Sequence, residues 1–422
     1  MALKLTKEDL KWSSGQDWRG QRRQFFLTLG ISFLAVQLAF LLVMSLVYGS
    51  QYEISKKVHR FQILSVDYDG GVIGESLFTA YDELKGDSFP TLQVHSTSEY
   101  PTEQLLKEAV RTGKYWGAVY TIHGASSRLD AALRGGQAAV NYNNTDTIRY
   151  IWNGAHFPLH SAGFIEPNLE GLIAASRLAY NQISATEALK VINSSDLNAV
   201  KAWLNPIAVS SINIKPTNQG ARVFYNSASV AVHAVQQFFF IMAINSASEK
   251  FNIFSRLSIR TNGTIRDVYC AVSSFFGALC WAGYIFAYQE DWGLSGGQFA
   301  LIWMIGWLYQ FISIKLMDVV TAFLPFACAP FVIITWALFN IAASLTCYPL
   351  APRFYKLMYA LPGRNYYETF VTITSGGAVD QLYRTLPVLF AWALLLQALA
   401  VPANIHRHRS AKEIEERKIQ TR

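Results

Sequence analysis

The sequence predicts a membrane protein of mixed α and α/β type, with six transmembrane helices and a large extracytoplasmic α/β domain between helices 1 and 2. Three observations predict it. Six apolar stretches are long enough to cross a bilayer, which takes about 20 mostly apolar residues. The first two stretches are separated by about 175 residues of mixed polarity, an ordinary size for a folded domain. Basic residues gather beside the stretches, as they do on the cytoplasmic side of membrane proteins.

Residues 1–24 form a basic segment, with Lys4, Lys7, Lys11, Arg19, Arg22 and Arg23 against three acids. Helix 1 spans 25–48, Phe25 to Tyr48, without a charge. It begins late and is longer than the apolar core of a signal peptide, so it is expected to remain as an uncleaved anchor. Residues 49–222 are the extracytoplasmic domain. Residues 223–405 hold five further spans, near 223–247, 268–288, 299–320, 322–346 and 386–405. Residues 406–422 are a basic tail.

Six spans place both basic termini on one side, the cytoplasm. The loop after the second span is then also inside, and carries Lys250, Arg256, Arg260 and Arg266 against Glu249 and Asp267. The next loop, outside, has Glu290 and Asp291 and no Lys or Arg. The loop between the last two spans fits this pattern poorly. It falls outside, yet carries Arg353, Lys356, Arg364 and Arg384, and a short interfacial helix is expected there.

Within 49–222 the pattern alternates. Phe61–Val66 has strand character and ends in the turn Asp67-Tyr-Asp-Gly-Gly71. Val72–Leu84 has helical spacing, Thr91–His95 is a second strand, Thr102–Val110 a second helix, and Tyr115–Ile122 a third strand. That order favours a small α/β domain, with Ile63, Val66, Trp116 and Val119 in its core. Helices over 169–191 and 197–207 lead back to the membrane. The sequons at Asn143 and Asn193 are candidate glycosylation sites. A third, at Asn262, falls in a loop placed inside and is expected to be unused.

Hydrophobic residues make up 51% of the chain and the formal net charge is +7. The positive charge flanks spans instead of forming one block, which excludes a nucleic-acid partner. The four cysteines, Cys270, Cys280, Cys328 and Cys347, all lie in or beside spans, so the extracytoplasmic domain has no disulfide. There is no G-x-x-x-x-G-K-[ST] loop for ATP. Gly293-Leu-Ser-Gly-Gly-Gln298 superficially resembles an ABC signature but lies in a short loop. No H-E-x-x-H metal motif occurs. No catalytic residue, metal site or cofactor is predicted.

The candidate transport residues are Lys315, Asp318, His233 and Gln237. Ionisable residues inside a span are functional candidates by default. Lys315 and Asp318 are i and i+3 on the fourth span. Asp318 can be the proton site of a gradient-driven carrier, or the two can be an ion pair near the cytoplasmic end, with Lys315 reaching for the interface. His233 and Gln237 are one turn apart on the second span, beside Gln236. With Gln37 and Asn340 they can line a polar route or bond helices together. Asp67 and Asp69 suit a metal or acid–base pair, and equally suit a turn. The tail, His406-Arg-His-Arg409 and Lys412, can hold anionic headgroups or mark topology.

Several segments carry a family resemblance. They are Ser65-Val-Asp-Tyr-Asp-Gly70 followed by Gly74-Glu-Ser-Leu77, then Lys114-Tyr-Trp-Gly-Ala-Val-Tyr120, and Ala125-Ser-Ser-Arg-Leu-Asp-Ala-Ala-Leu133. Further along come Asn205-Pro-Ile207, Ile214-Lys-Pro216 and Ala360-Leu-Pro-Gly-Arg-Asn-Tyr-Tyr-Glu368. In this order, around one span, a large domain and five spans, the chain resembles the fungal nitrosoguanidine-resistance membrane protein family (DUF3533 type), itself distantly similar to ABC-2 transporter permeases. The resemblance implies a multi-pass protein linked to tolerance of toxic compounds, by export or through the membrane lipid environment. Two other functions stay open: a membrane scaffold or regulator with a partner-binding outer domain, and an integral-membrane enzyme of a fungal secondary-metabolite pathway. The expected partners are membrane lipids, lipophilic small molecules and a second copy of the chain.

Overall fold

A computed structural model describes residues 16–216, 229–289, 292–325 and 328–420. The expected start of the second span at Val223, the acids Glu290 and Asp291, and Lys4, Lys7 and Lys11 lie outside the described residues.

Helix α1 (Gln16–Ser50) is apolar from Phe25 to Tyr48, and most of its side chains from Arg22 onward are exposed. Its last turns rest on the chain's later helices. The sheet follows, as β1 (Gln62–Asp67), α2 (Val72–Leu84), β2 (Thr91–His95), α3 (Glu103–Arg111), β3 (Gly117–Thr121), α4 (Ala125–Leu133) and β4 (Ile148–Trp152). Helices α5 (Glu166–Val191) and α6 (Leu197–Leu204) and the short strand β5 (Ser211–Asn213) complete it. The strand order is β2-β1-β3-β4-β5. β1 pairs parallel with β2 and β3, β3 pairs antiparallel with β4, and β4 pairs parallel with β5.

The period-2 alternation of strands explains how this sheet is buried on both faces. Ile63, Val119, Ile148 and Tyr150 join one core with Ile73 and Leu77 of α2 and Leu169 and Leu172 of α5. Leu64, Val66, Ala118, Tyr120 and Ile151 join another with Leu106, Ala109 and Val110 of α3. The three expected strands form, as do the two helices between them. Two strands were missed. β4 holds Arg149 and carries Asn and Thr just before it, and β5 is three residues long, so neither shows a clear run. Ile63, Val66 and Val119 are fully buried, but Trp116, expected in the core, is only half-buried at the sheet's end.

The remaining helices are α7 (Ser229–Lys250), α8 (Ile259–Ala287), α9 (Gly296–Phe323), α10 (Ala329–Leu345), α11 (Pro362–Thr374) and α12 (Leu382–Gln420). Among the described residues, α1, α7, α8, α9 and α12 are long and apolar enough to cross a membrane. This is five helices where six were expected. The expected fifth span, 322–346, is shorter because Ala322 and Phe323 still belong to α9, and α10 begins only at Ala329, with Pro330 in its first turn. Its 17 residues, mostly apolar, reach about 25 Å at 1.5 Å per residue, a little under the bilayer's hydrocarbon core.

Two further boundaries move. α8 starts nine residues before the expected third span, at the N-cap Ser258, whose side chain accepts from Thr261 N. Arg266 and Asp267 therefore belong to a helix and not to a loop. α12 runs from Leu382 through the basic tail, so span and tail are one helix.

Candidate functional site

The largest departure from the sequence reading lies between α10 and α12, where a long outer loop was expected. That stretch holds a short helix, Arg353–Ala360, and the buried helix α11. α11 starts at Pro362, whose fixed φ suits a first helical turn. Gly363 lets it approach α10 closely, since a Cβ there would meet Asn340 Cβ at 2.6 Å and Val230 Cγ1 at 2.7 Å. Asn340 Oδ1 accepts from Gly363 N at 2.7 Å. Asn340 thus holds α11 in place and does not join His233.

α11 carries Arg364 and Glu368 at i and i+4. Arg364 Nε donates to Glu368 Oε1 at 3.1 Å, and its Nη1 reaches the carbonyls of Ala343 and Thr346 at 3.3 and 3.5 Å. A guanidinium thereby satisfies the C-terminal end of α10, where carbonyls lack helical partners. Arg384, in the first turn of α12, donates to the other oxygen of Glu368. The Tyr359 ring lies 4.2 Å from the Arg364 guanidinium and 4.7 Å from that of Arg384, a doubled cation–π arrangement. One carboxylate and one aromatic ring separate two guanidinium groups, and Arg384 Nε is buried without a hydrogen-bond partner.

This cluster floors a cavity of about 200 Å³ between the sheet and the helices. The sheet side supplies Trp116, His156 and Phe157. His156 stacks flat on Trp116 at 4.1 Å, and Phe157 meets Tyr367 edge-on at 5.3 Å. Hydrogen bonds join the halves, among them Arg111 Nη1 to Gly377 O at 2.8 Å, Asn153 Nδ2 to Ala378 O at 2.7 Å and Arg60 Nη1 to Ala351 O at 3.4 Å. Burial, and secondarily the charge of Arg364, push the His156 imidazole down to about 4, and burial alone does the same to His160.

That depression has a sign. Both imidazoles are neutral when folded, and the unfolded chain takes up protons first as pH falls through about 6.5. Stability from this source is complete above that pH and is lost toward pH 4. Thermal melting of the purified protein between pH 7 and 4.5 should show this fall, and His156→Gln should flatten it. An unchanged slope in that variant would contradict the burial argument.

The four candidate residues from the sequence sit elsewhere, in two separate networks. Asp318 is fully buried and is approached by Arg266 of α8 (Nε 2.9 Å, Nη2 2.5 Å) and Arg407 of α12 (Nη1 3.2 Å). Lys315 lies 3.8 Å from Asp318 but pairs more closely with Asp267, at 2.5 Å. The simple Lys315–Asp318 pair is therefore corrected to a network of three cations and two carboxylates joining α8, α9 and α12. Asn245 and Gln397 bond into it at 2.8 and 3.1 Å. Lys315 is buried and does not reach an interface. Arg266 and Arg407 were missed, because both lie in stretches whose charge pattern marks an ordinary cytoplasmic flank.

His233 and Gln237 are buried and meet through Gln310 of α9. Gln310 Nε2 donates to His233 Nδ1 at 2.6 Å and to Gln236 Oε1 at 3.1 Å, and its Oε1 accepts from Gln237 Nε2 at 2.6 Å. That leaves the proton on His233 Nε2, which donates to Tyr366 Oη at 2.7 Å. The network bonds α7, α9 and α11 together. Gln37, expected to join it, is exposed on α1.

Other candidates have local roles. Asp67 accepts from Asp69 N and Gly70 N at 3.0 Å each, and Asp69 from Ser126 N at 3.0 Å. These acids organise a turn in which Gly70 has φ +63°. Ser295 caps α9 in a box with Gln298, which explains the signature-like segment. That segment, Gly293–Gly297, also has the G-x-S-x-G spacing of a hydrolase elbow, but among the described residues no strand leads into Ser295. In the tail, Arg407 and His408 are drawn into the bundle, with His408 Nδ1 2.7 Å from Phe254 O.

No curated protein and no solved structure matches the chain. One family model matches residues 32–398, which takes in the sheet, the junction cavity and, apart from Arg407, both buried networks. With most of its length matched, the chain belongs to the family described as protein of unknown function (DUF3533).

Proposed function

We propose that this is a non-enzymatic, six-span membrane protein that handles lipophilic amphiphiles, by exporting them or by altering the lipid environment, and so contributes to tolerance of toxic compounds. The observation that carries the proposal is the cavity beneath the sheet. It joins a charged cluster, Arg364, Glu368 and Arg384, to the apolar surfaces of Val371, Val379 and Phe157, as a molecule with a polar head and an apolar body requires. Glu368 is held by two arginines and His156 is stacked and electropositively flanked, so neither is placed as a free acid or base. In this reading α10 also crosses the membrane, as the fifth of six spans, the sheet is extracytoplasmic and both termini are cytoplasmic.

Reconstitution in vesicles, with a panel of lipophilic drugs and labelled lipids and with or without a proton gradient, tests the function. Movement above protein-free vesicles, reduced by Arg364→Met, is expected. Equal movement with and without the protein, for the whole panel, would sink it.

Glycosylation tests the orientation. Asn143 and Asn193 are exposed on the sheet-bearing part, whereas Asn262 is buried in the first turns of α8. Deglycosylation of protein from eukaryotic cells should shift its mass, and Asn143→Gln with Asn193→Gln should abolish the shift. Sugar on Asn262 would contradict the orientation.

A further inference from the structure

Two of the basic residues that fit the topology rule poorly, Arg353 and Lys356, meet Arg60 and Lys114 in space. A groove of about 610 Å³ is lined by Arg60, Lys114, Arg353 and Lys356, with no carboxylate in its lining. It shares Trp116, Tyr348 and Pro349 with the junction cavity, so the two adjoin. Its cations come from three places in the chain: the turn before β1, the end of α3, and the short helix Arg353–Ala360. Helical periodicity cannot explain their meeting; the fold brings them together. Four like charges around one groove repel one another, and an anion in the groove relieves that repulsion.

The surroundings indicate which anion. The helix Arg353–Ala360 turns Tyr355 and Met358 inward, and Tyr355 Oη donates to Leu46 O of α1 at 2.7 Å. On its other side Phe354 and Leu357 are 60% and 71% exposed, beside Arg353 and Lys356. At the same end of α1, Tyr48 and Tyr52 are 76% and 62% exposed. Exposed aromatic and aliphatic side chains next to cations, at the end of an apolar helix, match the headgroup level of a bilayer. Among the described contacts, Lys114 uses one ammonium donor, on Tyr100 Oη at 2.8 Å, and Lys356 lies 5.1 Å over the Tyr348 ring.

We infer that this groove binds the phosphate-bearing headgroup of an anionic membrane lipid. The inference rests on the reading of this face as one at the membrane surface, and it concerns binding alone.

The test uses the full chain in neutral detergent at fixed ionic strength, titrated with dioctanoyl phosphatidylserine, dioctanoyl phosphatidylcholine and inorganic phosphate. Phosphatidylserine should bind about tenfold or more tightly than phosphatidylcholine, by the attraction each surface cation contributes. Arg353→Ala with Lys356→Ala should remove about tenfold of that affinity and leave phosphatidylcholine unchanged. Lys114→Gln, at an exposed position, should weaken binding in the same direction if the double variant folds poorly. Arg134→Ala, an exposed site paired with Asp130, should have no effect. Equal binding of the two lipids, or undiminished binding in both groove variants, would overturn the inference. Inorganic phosphate binding as tightly as phosphatidylserine would assign the groove to a soluble anion instead. Retained headgroup selectivity without movement in vesicles counts against the proposed function alone; the reverse counts against this site alone.

Discussion

Asp318→Asn should sharply reduce the folded protein in the membrane. Removing one partner from a buried ionic network typically costs about 3–5 kcal/mol, because the remaining charges stay buried without compensation. Here Arg266 and Arg407 lose their carboxylate, and Lys315 keeps only Asp267. The structure also predicts which repair fails. Lys315→Met with Asp318→Leu removes an isolated pair on paper, but leaves both arginines stranded. Arg266→Met with Asp318→Leu should recover more, and its loss should fall short of the sum of the two single losses by about 1–3 kcal/mol, as for directly coupled residues. Surface abundance and melting of the detergent-solubilised variants measure this. Full rescue by the lysine double variant would show that the network is not organised around Arg266. Normal abundance of Asp318→Asn, with gradient-driven movement lost, would instead favour a proton site.

Glu368→Gln should have the second large effect. It leaves Arg364 and Arg384 on either side of Tyr359 with no carboxylate between them. A loss of about 2–5 kcal/mol is expected, together with weakened amphiphile binding at the cavity. Arg384→Met should be milder, because Arg384 is partly exposed while Arg364 retains both Glu368 and the α10 carbonyls. Thermal melting of the two variants ranks them. A Glu368→Gln protein that melts like the unaltered one would remove this cluster from the account.

The apolar helices and the first three strands were legible because each has a simple period: an unbroken apolar run or strand alternation. The cavity and the charge network were not, for three physical reasons. α11 buries almost every residue, its polar ones included, among them Arg364, Asn365 and Glu368. Such a helix resembles a polar loop when only composition is considered. The arginines of the charge network were hidden by the flank rule, which treats cations near span ends as solvent-facing. Arg266 instead reaches Asp318 across 52 residues of sequence, a pairing no local spacing encodes. Trp116 matched a strand core, but its position one residue before β3 places it at the sheet's end, against His156. Conversely, the oddity at Arg353, Lys356, Arg364 and Arg384 was visible in the sequence, and only the fold shows that they divide between a groove and a cavity.

The central claim is that an amphiphile occupies the space between sheet and helices. Photolabelling of the full chain in vesicles with a photoactivatable amphiphile, with and without excess unlabelled competitor, tests it most directly. The account predicts that the competitor-sensitive label maps to peptides containing Trp116, Tyr359 or Val379, and that Arg364→Met reduces it. Competitor-sensitive label confined to the outer faces of α1 and α12, with none at the junction, would contradict it.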